Sequence, residues 1–264
     1  EFWKQADANG DIYKKNYKVK YCVGCELEKT DSELVDGKCP IHPNRDIEIR
    51  EEENYFFRYS KYGEKLLALY KERPGFVLPE SRLNEAKAFI ERGLEDFSIS
   101  RLASKMSWGI PVPGDEEHVM YVWFDALVNY IAAVGWPHNI EEFEKWWNQS
   151  GGVVQYCGKD NTRQQSSMWQ AMLMSVGIAA SQKIVVNGFV TGADGQKMSK
   201  SLGNVINPFE VIEEFKELTN APEEVIRFVV THDFSSFEDS PGSREGIRAS
   251  YSSQLANGIG NLTS

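Results

Sequence analysis

The chain has 264 residues, enough for one large domain or two ordinary ones with cores of their own. Hydrophobic and charged fractions of 41% and 26% match a globular protein in water, and no apolar run approaches the roughly 20 residues that span a bilayer. A net charge of −10, from 29 basic and 39 acidic residues, excludes a generic nucleic-acid coat but leaves room for a local basic face that binds RNA.

No signal peptide opens the sequence. It begins at Glu1-Phe2-Trp3-Lys4 and stops at Gly260-Asn261-Leu262-Thr263-Ser264, both in mid-helix pattern, so a fragment is expected. Four cysteines, three of them in metal-like spacing, fit a reducing, cytoplasmic compartment better than a disulfide scaffold.

Tyr17 to Tyr21 alternates large and basic residues and reads as a short strand. Cys22-Val23-Gly24-Cys25 follows, and then Cys39-Pro40-Ile41-His42. Each half is a tight turn able to aim two ligands at one point. Three thiolates and one imidazole make the closed tetrahedral set of a structural zinc site, and a catalytic zinc would keep a position open. The competing reading is three reduced cysteines and a surface histidine close by chance. Asn44 to Arg50 alternates like a strand, and the acidic run Glu51-Glu52-Glu53 reads as a solvated edge or a helix start. A helix is expected from Ser60 to Glu72, with Leu66, Leu67 and Tyr70 on its apolar face and Pro74-Gly75 at its end. A second runs from Arg82 to Arg92 and stops at Gly93.

Val119 to Phe124 is almost wholly apolar and reads as a strand of a covered sheet, with Asp125 as N-cap of the next helix. Val153 to Cys157 reads as a strand running into Gly158-Lys159-Asp160, then a helix from Thr162 to Val176, then a strand at Ile184 to Val186 that ends at Asn187-Gly188. Strand, helix, strand is a right-handed parallel crossover by default. Ligands of such sheets bind beyond the carboxyl ends of the strands, which places Gly158, Asp160 and Gly188 on one rim with the loop that follows. Gly158 permits close approach of a ligand, and Asp160 can accept hydrogen bonds from ribose hydroxyls. Alternatively Gly158 is a plain turn residue and Asp160 a helix N-cap. Cys157 reads as a buried strand thiol.

That loop is Gln196-Lys197-Met198-Ser199-Lys200-Ser201-Leu202-Gly203-Asn204, preceded by Gly195. Glycines at both ends let a loop move. Two ammonium groups there suit a reaction that builds negative charge on a leaving polyphosphate, an effect worth roughly 2–4 kcal/mol per group. A solvated basic turn is the plainer reading of a bare Lys-x-x-Lys. Helices are expected from Pro208 to Leu218, after Pro222, and from Arg244 to Leu262.

The full lysine string resembles the signature loop of the class I aminoacyl-tRNA synthetases. Phe76 to Glu85, Asp96 to Arg101, the knuckle spacing and Trp123-Phe124-Asp125-Ala126 are similar to the methionyl branch of that family. The resemblance implies a ligase that joins methionine to ATP with Mg2+, releases pyrophosphate and passes the aminoacyl group to tRNA. It implies Lys197 and Lys200 as catalytic groups, and Gly158, Asp160, Gly188, Lys197, Met198 and Lys200 as ATP contacts. Trp123, Ala126, Leu127, Tyr130, Asn161 and Gln165 would line the amino-acid pocket, although Trp123 and Tyr130 also suit a core. Asn161 and Gln165 depart from the methionyl pattern, which has an apolar residue and a histidine there. Gln165 and Trp169 lie four apart and share a helix face.

The implied α/β architecture is the second half of a Rossmann-type parallel sheet, with an inserted connective domain at residues 1–101 carrying the zinc knuckle. The half-sheet occupies 102–204, and 205–264 begins a helical anticodon-binding bundle. The family also needs a His-x-Gly-His motif at a helix start to hold ATP phosphates. His42, His118, His138 and His232 do not form it, so these residues alone are expected not to activate an amino acid. A synthetase for another apolar amino acid or cysteine remains an alternative, as does a non-catalytic tRNA-binding or assembly module. Oligomeric state is not legible.

Overall fold

The structure is a computed structural model. It describes all residues except 25, 26, 30–33, 41, 42, 107, 197, 199–203 and 264, and omits the side chains of 19, 27–29, 50 and 263. Two compact units form: residues 1–76, 84–153 and 164–182, and residues 77–83, 154–163 and 183–264.

The first unit is built on a long hairpin. Strand Ile12–Cys22 runs antiparallel to Glu48–Phe57, with Ile12 opposite Phe57 and Tyr21 opposite Glu48. Leu27–Lys29 and Phe97–Ser98 complete a four-stranded sheet. The acidic run is therefore neither a solvated edge nor a helix start; it lies within the second long strand. Its charges are met according to the two-residue period of a strand. Glu51 pairs with Lys18 at 3.5 Å on the exposed face, while Glu52 points inward, is 4% exposed and pairs with Lys105.

A turn at Tyr59–Tyr62 leads into helix Gly63–Glu72, which buries Leu66, Leu69 and Tyr70, while Leu67 is half-buried. The other early helix spans Glu80–Glu91. A second antiparallel sheet places Asp115–Met120 between Ser100–Leu102 and Pro111–Val112. Here the sequence expectation fails. Strand pairing stops at Met120, and Val122–Ala126 is already helix, with Tyr121 rather than Asp125 as N-cap. A short apolar run carries no periodicity that separates strand from helix. Val122 is 51% exposed and Phe124 2%, the one-sided burial of a helix on the unit's surface. An ion cluster ties this sheet to the hairpin. Asp115 lies 2.7 Å from Lys14 Nζ and accepts from Tyr55 Oη at 3.0 Å, and His118 Nε2 sits 2.9 Å from the Glu53 carbonyl.

The second unit carries the parallel strands. Lys183–Asn187 lies between Val77–Leu78 and Val154–Gly158, parallel to both. Asn187 stands opposite Gly158, so the two long strands end level. Ile184, Val185 and Val186 are all buried, as a two-sided strand requires. Farther along come helices Pro208–Phe215, Pro222–His232 and Arg244–Ser250. Two of them start on proline, whose missing N–H costs nothing at a helix start. Val211, Phe215, Val225, Val229 and Ile247 form their common core. Arg244 bridges Glu210 and Glu214, and Tyr251 Oη donates to the Leu218 carbonyl at 2.9 Å. Among the described residues no helix is long and apolar enough to cross a membrane.

Candidate active site

The rim of the parallel sheet lies within the second unit. Strand Val154–Gly158 passes into a single 3-10 turn, Lys159–Asn161, that exposes Asp160. Thr162 Oγ1 closes the turn by donating to the Lys159 carbonyl at 2.8 Å. A Cβ on Gly158 would lie 2.9 Å from Asp160 Oδ1, so glycine is what lets the carboxylate fold back over the strand end. Burial, and then the Asp160 charge, push the Cys157 thiol up to about 11. It stays protonated and inert at neutral pH, as a strand thiol should.

Gly188 follows the neighbouring strand end and has a structural task that sequence reading missed. A Cβ there would meet the Glu238 carbonyl oxygen at 2.1 Å. The Ser235–Gly242 segment presses on the rim at this point. Asn187 Nδ2 donates to the Ser236 carbonyl at 2.9 Å, the Phe189 N–H donates to Asp239 Oδ1 at 2.9 Å, and Ser240 N–H donates to the Phe189 carbonyl at 2.9 Å. Lys159 Nζ lies 2.5 Å from Asp239 Oδ2 and 4.6 Å from the Phe189 ring centre. No local signal could have found Asp239, which lies 80 residues from its lysine.

Val190–Thr191 then pairs in parallel with Ser240–Pro241 and leads to a tight turn in which Gly192 N–H donates to the Gln196 carbonyl at 2.8 Å. Gly195, at φ +78°, supplies the left-handed residue of that turn. Lys197 and Lys200 lie outside the described residues. Met198 is half-buried, its methyl 3.4 Å from where a Cβ on Gly242 would stand. Asn207 caps the next helix by accepting from Phe209 N–H at 3.0 Å.

In the first unit a π-helical turn, Gln164–Met168, precedes helix Trp169–Ser175. Such turns recur at functional sites. Two tyrosines fix it: Tyr59 Oη donates to Ser167 Oγ at 2.6 Å and Tyr70 Oη to the Ser166 carbonyl at 2.7 Å. Gln165, 4% exposed, donates through Nε2 to Tyr130 Oη at 2.7 Å. Trp169 is fully buried, with the rings of Phe2, Tyr130 and Trp147 all within 6.5 Å of its own. Thus Tyr130 and Gln165, 35 residues apart, meet. Trp123 is half-buried, Ala126 is exposed, and Leu127 is a core residue at 2% exposure. Asn161 belongs to the second unit, where its Nδ2 donates to Asp160 Oδ1 at 3.4 Å.

Cys22 and Cys39 are fully buried. Cys25 and His42 lie outside the described residues, and among the described residues no group of three metal-ligating side chains assembles.

The family model described as "tRNA synthetases class I (M)" matches residues 32–264. The chain belongs to this family. A methionine–tRNA ligase of Thermosynechococcus vestitus is 42% identical over 99% of this chain and 48% of its own length. One of Streptomyces coelicolor is 43% identical over 100% and 48%. Among solved structures, Mycobacterium tuberculosis methionyl-tRNA synthetase in complex with methionyl-adenylate matches with a TM-score of 0.83 and 38% identity, over 99% of this chain and 50% of that one. Its apo form matches with a TM-score of 0.77 and 32% identity. The chain spans about half the length of the curated relatives it matches. The class I α/β fold, with its parallel sheet and helices, is thereby established for this synthetase-family chain.

Proposed function

We propose that the protein containing these residues is a methionine–tRNA ligase, which activates methionine with ATP to the adenylate and transfers it to tRNA. The observation that carries this reading is the likeness, over nearly the whole chain, to a protein solved with methionyl-adenylate. In this reading Asp160 accepts from the ribose hydroxyls, and Gly158 and Gly188 meet the nucleotide through their backbone. Lys197 and Lys200, with Met198 between them, stabilise the charge that builds on the leaving pyrophosphate, beside the Mg2+ that ATP brings. No side chain need act as a strong acid or base, since positioning and electrostatics suffice.

Trp123, Ala126, Leu127, Tyr130, Asn161 and Gln165 serve the amino acid. Because Gln165 donates to Tyr130 Oη, the phenol's own proton is left for a ligand acceptor. A thioether sulfur is a weak acceptor of the right kind. Trp169 Nε1 and Gln165 Oε1 are buried without a hydrogen-bond partner among the described residues, further polar capacity beside the same phenol.

The test is ATP–pyrophosphate exchange by the protein containing these residues, driven by methionine and by a panel of other amino acids. Methionine-dependent exchange is expected. Exchange driven by cysteine or another apolar amino acid instead would move the specificity to the alternative that Asn161 and Gln165 keep open. No exchange with any amino acid, together with tRNA binding, would favour a non-catalytic module.

Cys22, Cys25, Cys39 and His42 are proposed to hold one structural zinc. Two thiols wholly buried in a polar, turn-rich stretch fit such a closed site. Zinc would supply cross-linking of the knuckle and no chemistry of the reaction. Metal analysis of freshly purified protein finding well under one zinc per chain would remove it. The same reading makes residues 1–101 the connective domain, 102–204 the half-sheet and 205–264 the start of the anticodon-binding bundle, in a cytoplasmic enzyme, although the parallel sheet also takes in strand Val77–Leu78 from the first of these segments. The three-helix core around Phe215 is what a bundle would grow from.

A further inference from the structure

The contacts of the Ser235–Gly242 segment are concentrated on the rim. Its backbone accepts from Asn187 and donates to Phe189, its Asp239 takes both the Phe189 N–H and the Lys159 ammonium, and Gly188 is bare where Glu238 passes. Gly242 continues the lacing by donating to the Thr191 carbonyl at 2.8 Å. The segment joins helix Pro222–His232 to helix Arg244–Ser250, so it belongs to the helical part of the unit. Lys159 stands between Gly158 and Asp160, the two rim residues assigned to the nucleotide. One carboxylate therefore holds the turn after one strand end and the backbone after the other.

We propose that Lys159 and Asp239 are a positioning pair through which the helical junction sets the rim's affinity for ATP. The pair acts through Gly158 and Asp160 and need not touch the nucleotide; this rests on the assignment of those two residues to ATP. A second observation agrees with a pair held in its charged form: Lys159, and then the Phe189 N–H, hold the Asp239 carboxyl below its usual range. Lys159 is directed at Asp239 and the Phe189 ring, so its charge is engaged within the fold.

The test compares the wild type with Lys159→Met, Asp239→Asn and the double variant, in the protein containing these residues. Asp239→Asn keeps an acceptor for the Phe189 N–H and removes only the charge. Two quantities are read: the Kd of Mg-ATP by equilibrium titration, and the KM values for ATP and methionine in pyrophosphate exchange. Each single variant is expected to weaken ATP binding about fivefold, the upper range for a half-exposed ion pair. The methionine KM should stay within about twofold, and the double variant should be no worse than either single. A merely structural role would lower the melting temperature and leave the ATP Kd alone, which would overturn the proposal. So would a large effect of Lys159→Met beside a silent Asp239→Asn, because the lysine would then act on the nucleotide directly. Wild-type protein that binds ATP but shows no methionine-dependent exchange would count against the ligase reading, and the Kd series would still decide the pair. Absence of ATP binding by the wild type would overturn both.

Discussion

Gly188→Ala separates a structural glycine from a nucleotide contact. The added Cβ falls 2.1 Å from the Glu238 carbonyl oxygen, 2.3 Å from its carbon and 2.9 Å from Asp239 N. Ordinary contact distances require about 1 Å more, and neither neighbour is the free end of a side chain, so a backbone must shift. A shift of that size strains the bonds that lace the segment to residues 187–189, three of them at 2.9 Å. Losing two or three at about 1 kcal/mol each costs about 2–3 kcal/mol. Alanine offsets up to about 1 kcal/mol by restricting the unfolded chain, leaving a net loss of about 2 kcal/mol. At this chain length that lowers the melting temperature by about 4–8 °C. Gly75→Ala is the control: nothing lies within 4 Å of its Cβ, so its stability should stay within about 0.5 kcal/mol of the wild type. Urea unfolding followed by circular dichroism, with both variants side by side, reads the difference. Gly188→Ala as stable as Gly75→Ala would refute the close approach. A stable variant with weakened ATP binding would return Gly188 to the role of a plain nucleotide contact.

Two further perturbations test the first unit. Lys105→Met leaves the Glu52 carboxylate, 2% exposed at its side chain, buried without its cation, and should cost about 3–5 kcal/mol in urea unfolding at pH 7; the double change with Glu52→Gln should recover most of it, and failure to recover would mean that the pair is not the cause. Asp115 is held down to about 2, first by the hydrogen bond from Lys14 and less by that from Tyr55, against an ordinary value near 3.9. A lowered carboxylate stabilises the fold above its unfolded value and loses that contribution as pH falls through the folded one. Asp115→Asn should therefore cost about 2 kcal/mol at pH 7, less at pH 3 and almost nothing near pH 2, and a pH-independent difference between the two proteins would contradict the linkage.

The parts of this fold that declared themselves in the sequence are those with local causes. Leu66 and Tyr70, four residues apart, announce the helix they bury, and Pro74-Gly75 its end. The parallel pair could be read because Ile184-Val185-Val186 is apolar on both faces and is reached by a helix from Cys157. The error at Val119 to Phe124 has a local cause too: six apolar residues fit either a covered strand or a helix joined to one, and the unit uses both, changing at Tyr121. Glu51-Glu52-Glu53 misled because a carboxylate's fate depends on cations far along the chain, Lys18 for one and Lys105 for the next. Sequence alone could assign Gly158, Asp160 and Gly188 to the rim but could not supply Asp239 or the Glu238 backbone, which arrive from a connection 50 residues beyond Gly188.

Gln165 is the departure from the family pattern whose consequence is clearest. A histidine at this position also could donate a hydrogen bond to Tyr130, but an imidazole titrates near pH 6.5, and whether it carries a positive charge beside the phenol would follow the pH of the solution. A carboxamide does not titrate. Its Nε2 donates to Tyr130 Oη at 2.7 Å at any pH, and its buried backbone carbonyl accepts from Gln170 Nε2 at 2.9 Å, so the π-helical turn that aims it is fixed from behind. Tyr130 is thereby kept as an acceptor toward Gln165 and, if the ligase reading holds, a donor toward the amino acid. Under the ligase reading, the KM for methionine should be flat from about pH 6 to pH 8 in this protein and should acquire a step in that range in Gln165→His. A wild-type step of the same size would mean that another titrating group, not residue 165, governs the phenol.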